Sequence, residues 1–265
     1  MRKRYLIFSL LVILSFIFFN CSHNSQSQLY NQKVTVQDAS RAGEVLKDSL
    51  YNIEMVYIPA GTIKFDEDYE RHETLVFLKS FYIGKYEVTQ SQWKVVMGNN
   101  PSEVKGDNLP VTNIHWYDVE EFIKKLSEKT GQSYRLPTES EWEYACRAGT
   151  ATDYHFGNDT LLIGEYEWWK RNSDEKLHPV GLKKPNPWGL YDIGGNACEW
   201  TATLWDPAPW LKRNPDRKPF DDNLRIVRSS SSLHGRTAHF RSDYCHAYQE
   251  KRPRNYTGFR VVRDE

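Results

Sequence analysis

Between Thr150 and Asn223 the chain follows neither a helical nor a strand period. This long stretch limits the available folds more than any other feature. Pro, Gly, Asn and Trp punctuate it, in PNPWGLYDIGGNACEW and again in LWDPAPWLKRNP. A loop region of such length is rare inside a compact domain unless something fixes it, and stacked Trp rings or bound ions are the two candidates. The nine Trp and sixteen Tyr suit either a core of large rings bridged by hydrogen bonds or a display of aromatics for binding.

The flanking segments are more regular. Alternating residues in YNIEMVYIPAGT predict a strand that ends at the Pro59–Gly61 turn, and two further strand-like runs cover Thr74–Leu78 and Phe81–Tyr86. Thr89 and Gln92 form a capping box for a short helix through Trp93 and Val96. Val119, Phe122, Ile123 and Leu126 recur at i, i+3, i+4 and i+7, which predicts a second helix closed by Gly131. A third helix starts after Pro137 at the Thr138-to-Glu141 box, with Trp142, Ala145 and Cys146 inward. The box also explains Arg135, Glu139, Glu141 and Glu143 as helix-terminal charges. GFRVVRDE reads as a closing strand. Short strands, few short helices and a large irregular half give an α+β fold, and 265 residues suit one good-sized core.

The first residues stand apart. MRKRY is a basic head, LIFSLLVILSFIFFN is an apolar run short for a membrane span, and Cys21 follows. This order resembles a bacterial lipoprotein signal in which Cys21 is lipidated, although Phe18, Phe19 and Asn20 are larger than the usual residues before such a cysteine. Residues 1–21 are thus read as a signal segment, 22–50 as a polar tether and 51–265 as the folded domain. The domain is expected outside the cytoplasm, lipid-anchored in a bacterial envelope, at the outer membrane in preference to the inner. Zero formal net charge removes the electrostatic case for nucleic acid as a partner. Beyond Cys21 only Cys146, Cys198 and Cys245 remain, so at most one internal disulfide is available.

Four stretches, FYIGKYEVTQSQWKVVMGNNPS, LPVTNIHWYDVEEFIKKLSEKTG, YRLPTESEWEYACRAGT and NPWGLYDIGGNACEW, precede a closing GFRVVRD. Their order, spacing and wording resemble the formylglycine-generating enzyme family, also called the sulfatase-modifying-factor domain. The resemblance covers nearly all of Met55–Asp264 and implies a C-type-lectin-like fold with little regular secondary structure. It implies calcium ligation by Asn196 and Glu199, for which hard oxygen donors converging on a turn are suited. The alternative is that both side chains bond loop amides. It also implies a disulfide between Cys146 and Cys245. His115, His155 and His178 read as capping or packing residues.

The stretch RIVRSSSSLHGRTAHFRSDYC departs from the family. Sulfatase-maturing members carry two glycines, a serine and then a pair of copper(I)-binding cysteines after the opening arginines. Here Arg225 and Arg228 match the opening, Ser229 and Ser230 replace the glycines, and Ser231 matches the serine. His234 and His239 fall at or beside the cysteine positions. Glycines there permit positive φ and close approach of a substrate backbone, and a serine kept in that conformation is strained by about 1 kcal/mol. Ser231, His234 and His239 are the candidate reactive loop. His234 and His239 are also a candidate transition-metal pair for copper, iron or zinc, with Cys245 or His246 as third ligand.

Two functions follow. The first is a membrane-anchored, non-catalytic module that binds or assembles an envelope protein or glycan. The second is an oxygen- and metal-dependent oxidase acting on a protein or small molecule through the histidine loop. Sulfatase maturation itself is disfavoured, because soft thiolates hold Cu(I) where imidazoles at those places cannot form a mixed disulfide.

Overall fold

A computed structural model of the protein describes residues 40–48, 51–66, 73–206 and 223–265. The signal segment, with the lipidation expected at Cys21, lies outside the described residues. Five strands come first: β1 (Val45–Asp48), β2 (Ile53–Ile58), β3 (Gly61–Asp66), β4 (Glu73–Leu78) and β5 (Phe81–Gly84). Helices α1 (Gln90–Met97) and α2 (Trp116–Thr130) follow, then β6 (Tyr134–Arg135), α3 (Glu139–Arg147) and the single turn α4 (Ile163–Tyr166). β7 (Cys198–Leu204), β8 (Leu224–Arg228), β9 (Cys245–Gln249), β10 (Thr257–Gly258) and β11 (Val262–Asp264) close the chain.

The strands make a five-stranded sheet ordered β1-β2-β5-β11-β6, a four-stranded sheet ordered β10-β7-β8-β9, and the separate β3–β4 hairpin. The C-terminal strand therefore sits inside the first sheet, antiparallel to both β5 and β6. Only β10 against β7 is parallel among these pairings. The architecture is α+β, as the motifs imply. One boundary differs. β1 pairs with β2 from Val45↔Val56 to Asp48↔Ile53, and Arg41 donates to Glu265 and Tyr82 at 2.7 and 2.8 Å. The tether drawn over 22–50 is thus too long, and the fold begins by Arg41. VLKD hides this strand because its residues lie near the surface, with Val45 and Leu46 both exposed, so no alternation is written into it.

All three main helices begin where their local chemistry places them. Thr89 and Thr138 accept from the amides of Gln92 and Glu141, whose side chains return the bond. Gly98 and Gly131 end α1 and α2 in the left-handed region at φ 82° and 68°. The α2 stripe of Val119, Phe122, Ile123 and Leu126 is buried. It packs under α1, where Trp93 stacks on Phe122 at 5.2 Å and Phe259 meets both rings edge-on. Truncating one such ring to Ala removes on the order of 3–5 kcal/mol. A second cluster packs Trp142, Ala145 and Cys146 of α3 against Val56, Ile58, Phe81, Ile83 and Val262 of the first sheet.

The irregular half is held by side chains that bond loop backbone. Asn186 donates to Ala145 O and Cys146 O while accepting from the amides of Trp188 and Leu190. Asn172, Glu167 and Asp192 do the same for Gly164 O, the Gly194 amide and the Gly181 amide. Trp168 stacks on His178 at 3.7 Å, with Lys183 Nζ 3.9 Å from the centroid of the Trp168 ring. Of the two devices expected to fix this stretch, stacked rings are present, joined by this amide and carboxylate network.

Candidate functional site

β8 carries Arg225 and Arg228 into a turn that starts at Ser229, whose φ of 65° is the positive value expected where the family has glycine. The four serines that follow form no exposed loop. Ser229, Ser230, Ser231 and Ser232 are all buried, backed onto the Gly194–Asn196 turn by Ser230 N to Gly194 O and Ser232 N to Asn196 O. Gly194 and Gly195 are needed there for space. A Cβ on either would come within 2.7 Å of Glu167 Oε1 or Trp168 O, and the positive φ falls instead on Asp192 and Asn196.

After the serines the chain reaches the surface. Ser231 Oγ lies 2.8 Å from His234 Nδ1. A 3-10 turn at Thr237–Phe240 is pinned by Phe240, buried against Trp169 at 5.9 Å, and this sets His239 beside His234. β9 then returns antiparallel to β8, with Arg228↔Cys245 and Val227↔His246. Strand residues alternate sides, so Cys245 and His246 point to opposite faces. Cys245 turns to Glu139, whereas His246 joins the other two imidazoles. The ring centroids of His234, His239 and His246 stand 5.4, 5.5 and 6.1 Å apart. The expectation of Cys245 as third member of the cluster is thereby corrected: the place belongs to His246.

Tyrosines rim this face. Tyr244 stacks on His239 at 4.7 Å, Tyr248 lies along His246 at 5.2 Å, and Tyr256 meets His234 edge-on at 5.8 Å. Burial lowers the pKa of each histidine, aided by neighbouring imidazoles at His234 and His246 and by Arg236 at His239, and His246 falls to about 4. All three are therefore neutral at pH 7. His239 Nδ1 and His246 Nε2 are buried without a hydrogen-bond partner. Tyr244, Tyr248 and Tyr256 escaped sequence reasoning, although the period of two in CHAYQ puts Tyr248 on the face of His246. Among the described residues no group of three or more His, Cys, Asp or Glu side chains is placed to hold a metal ion.

The calcium assignment does not fit its residues. Glu199 is fully buried and accepts from Arg260 Nε and Nη2 at 2.7–3.0 Å and from Trp142 Nε1 at 2.7 Å. Asn196 donates to Glu87 Oε2 and His178 O and accepts from the His178 amide. Calcium needs six to eight oxygen donors, and these oxygens are committed to cationic or N–H partners. The turn does collect acids, as the motif suggests. Glu87 and Asp192 lie near Glu199 and share the counter-charge of Arg260. Burial raises Glu87 well above the usual carboxylate range and Asp192 to about 7, against the lowering bond from the Gly181 amide.

The charges of α3 are also more than helix-terminal. Glu141 closes the capping box and takes a bidentate Arg135 at 2.7 Å. Glu139 and Glu143 instead hold the buried Arg228 at 3.2 and 2.8 Å, tying α3 to β8. His115 caps α2 through Asp118, and His178 bonds Ser173 O, both structural as read. His155 pairs with Glu167 at 2.7 Å with both residues buried. It also lines a cleft of about 460 Å³ with Phe156, Tyr166, Pro185 and Pro187.

Cys146, Cys198 and Cys245 are free, which corrects the expected Cys146–Cys245 bridge. Cys146 faces the core of α3 beside Ser242, while Cys245 sits beside Glu139. Burial pushes the Cys146 thiol up to about 12 and that of Cys245 to about 11, the latter despite nearby Arg228. Neither is an activated thiolate.

Residues 42–265 match the family model described as a sulfatase-modifying factor enzyme 1-like domain. A protein named "Chaperone protein LppX" from Paenibacillus barcinonensis is 31% identical over 61% of this chain and 75% of its own length. A "Formylglycine-generating enzyme" from Thermomonospora curvata is 29% identical over 67% of this chain, which spans 63% of that enzyme. Among solved structures, "Treponema denticola variable protein 1" superposes with a TM-score of 0.72 at 24% identity, over 84% of this chain and 99% of that one.

Proposed function

From the premise that the chain belongs to the sulfatase-modifying factor enzyme 1-like domain family over residues 42–265, we propose that it is a lipid-anchored binding or assembly module of the bacterial cell envelope. One observation carries this reading. Where sulfatase-maturing members have their cysteine pair, this chain has no cysteine, His234 and His239 fall at or beside those positions, and Cys146, Cys198 and Cys245 sit on three different elements with raised pKa values. A two-thiolate copper site needs soft sulfur donors on one loop, and imidazoles neither replace that donor set nor exchange with a substrate thiol. Strained Ser229 and the buried serines fill the backbone space where the family's glycines permit a peptide to approach.

The anchor rests on the basic head, apolar run and Cys21 of the N-terminal segment. Among the described residues no helix is long and apolar enough to cross a membrane, so tethering would come from that segment. The relative named "Chaperone protein LppX" supports an assembly role with a protein as the bound partner.

The test has two arms. Copper-loaded protein incubated with oxygen, a reductant and a Cys-x-Pro-x-Arg peptide is expected to leave the peptide mass unchanged, and turnover above the copper-free control rejects the reading. Cys21→Ser is expected to move the chain from the membrane fraction to the soluble fraction. A variant that stays in the membrane fraction removes the lipid anchor.

A further inference from the structure

We propose that the cleft beside His155 is a binding site for a neutral saccharide of one or two sugar units. The site is built from two segments of the irregular half, 150–157 and 185–187, together with Tyr166 of α4. None of its lining residues belongs to the histidine face, and it does not depend on the lipid anchor or on any assembly role.

Shape is the first argument. Tyr154 and Gly157 exchange both backbone bonds at 3.1 Å, which closes a tight turn over His155 and Phe156 and sets Gly157 at φ 121°. Phe156 is held between Tyr154 at 5.2 Å and Tyr166 at 4.7 Å, three near-parallel rings in one column. In the other segment, Asn186 is tied to the end of α3 through Ala145 O and Cys146 O at 2.7 and 3.0 Å. Both sides of the cleft are thus fixed before anything binds, and a preformed site loses little freedom on binding. Its volume of about 460 Å³ falls within the range of about 300–1,000 Å³ for small-molecule sites.

Chemistry is the second argument. Buried polar atoms without partners are costly in a folded protein, and two belong to residues that line this cleft, His155 Nδ1 and Thr150 Oγ1. His155 is 3% exposed. Glu167 Oε1 takes its Nε2 proton at 2.7 Å while Oε2 accepts from the Gly194 amide, so Nδ1 is left as an acceptor. The Thr150 hydroxyl both donates and accepts. Adjacent hydroxyls on one ligand satisfy both atoms. Each atom is recessed below the cleft surface, so binding opens the wall at Thr150, which is half-buried in the loop after α3. Phe156, Tyr166, Pro185 and Pro187 supply an apolar wall for the C–H face of a sugar ring. Among the described residues that line the cleft none is Lys, Arg, Asp or Glu. Nearby Lys184 is paired with Glu165 at 2.5 Å, so the wall holds no counter-charge for a phosphate or carboxylate. An extended peptide fits worse. The backbone groups of Gly157 and Asn186 are already bonded to Tyr154, Leu190 and Gly189, and the two prolines carry no N–H.

The experiment uses the full chain, solubilised in a detergent without a sugar head group and titrated by calorimetry with maltose, lactose and chitobiose. Saturable binding of at least one of them, one ligand per chain, is expected. Thr150→Ala should weaken it about fivefold, the loss of one hydrogen bond. Pro187→Trp places a large ring at an exposed wall position and should abolish binding while leaving the circular-dichroism spectrum of the folded chain unchanged. His239→Ala, on the histidine face, should change nothing. Failure of the wild-type chain to bind any of the three disaccharides overturns the proposal, whatever the variants do. Affinity unchanged in Pro187→Trp, or lost in His239→Ala, also overturns it. So does a neutral Ser- and Thr-containing peptide that binds in the cleft when no disaccharide does.

Discussion

Ser229 holds φ at 65°, where an L side chain crowds its own carbonyl and costs about 1 kcal/mol. Its hydroxyl contacts, to Gly195 O at 3.4 Å and Ser230 O at 3.1 Å, offset little of this. Glycine and alanine at 229 both lose those contacts, so comparing them isolates the backbone. Ser229→Gly is expected to be more stable than Ser229→Ala by about 1 kcal/mol in denaturant unfolding. Equal midpoints would contradict the left-handed geometry. Glu199 is the opposite kind of residue, unstrained but dependent on its partner. Its pair with Arg260 is fully buried on both sides, and removing one charge strands the other. Glu199→Gln should cost about 3–5 kcal/mol, with the same loss in calcium and in chelator. A loss that appears only with calcium present would restore the ion to this turn.

At the scale of elements, α3 and β9 decide what the site contains. α3 has two functions in nine residues: its first turn closes on Thr138 and Glu141, while Glu139 and Glu143 reach across to Arg228 of β8. These are separable by mutation. Thr138→Ala removes one cap bond and should cost about 1 kcal/mol. Glu143→Ala leaves a buried guanidinium with one carboxylate and should cost about 3 kcal/mol, at the low end for a broken buried pair because Glu139 remains. Thermal unfolding of both variants checks the order, and a smaller loss in Glu143→Ala would contradict it. β9 works by alternation. Its register against β8 sends Cys245 to α3 and His246 to the histidine face, so a one-residue slip would exchange thiol for imidazole.

Over the whole molecule, the charges around the Gly194–Asn196 turn couple three distant parts of the chain: Glu87, the Asp192–Glu199 segment and Arg260. Burial raises Asp192 from 3.8 to about 7. A raised acid keeps its proton in the native state after the unfolded chain has released it. Stability therefore falls as pH climbs from about 4 to 7, and the deficit is constant above that. Asp192→Asn keeps an acceptor for the Gly181 amide and cannot ionise. Its stability relative to wild type should rise across that window and level off beyond it, measured by denaturant unfolding at each pH. A flat difference would show that Asp192 titrates normally. The helices were legible in the chain because caps and stripes are local: Thr89, Thr138, Gly131 and the Val119–Leu126 stripe act within one or two turns of themselves. The order of five motifs was equally legible and named the family, since wording and spacing survive without coordinates. β1, β7, β8 and β9 were not, because VLKD and LRIVR bury or expose residues according to partners distant in sequence. Nor were the fates of Glu199, Asn196 and Cys245. Their residue types allow calcium ligation or a disulfide equally well, and only the tertiary structure brings Arg260, Glu87 and Glu139 against them. A side chain's chemistry is written in the sequence, but its partner is chosen by the fold, which alone decides which groups share a buried volume too small for water.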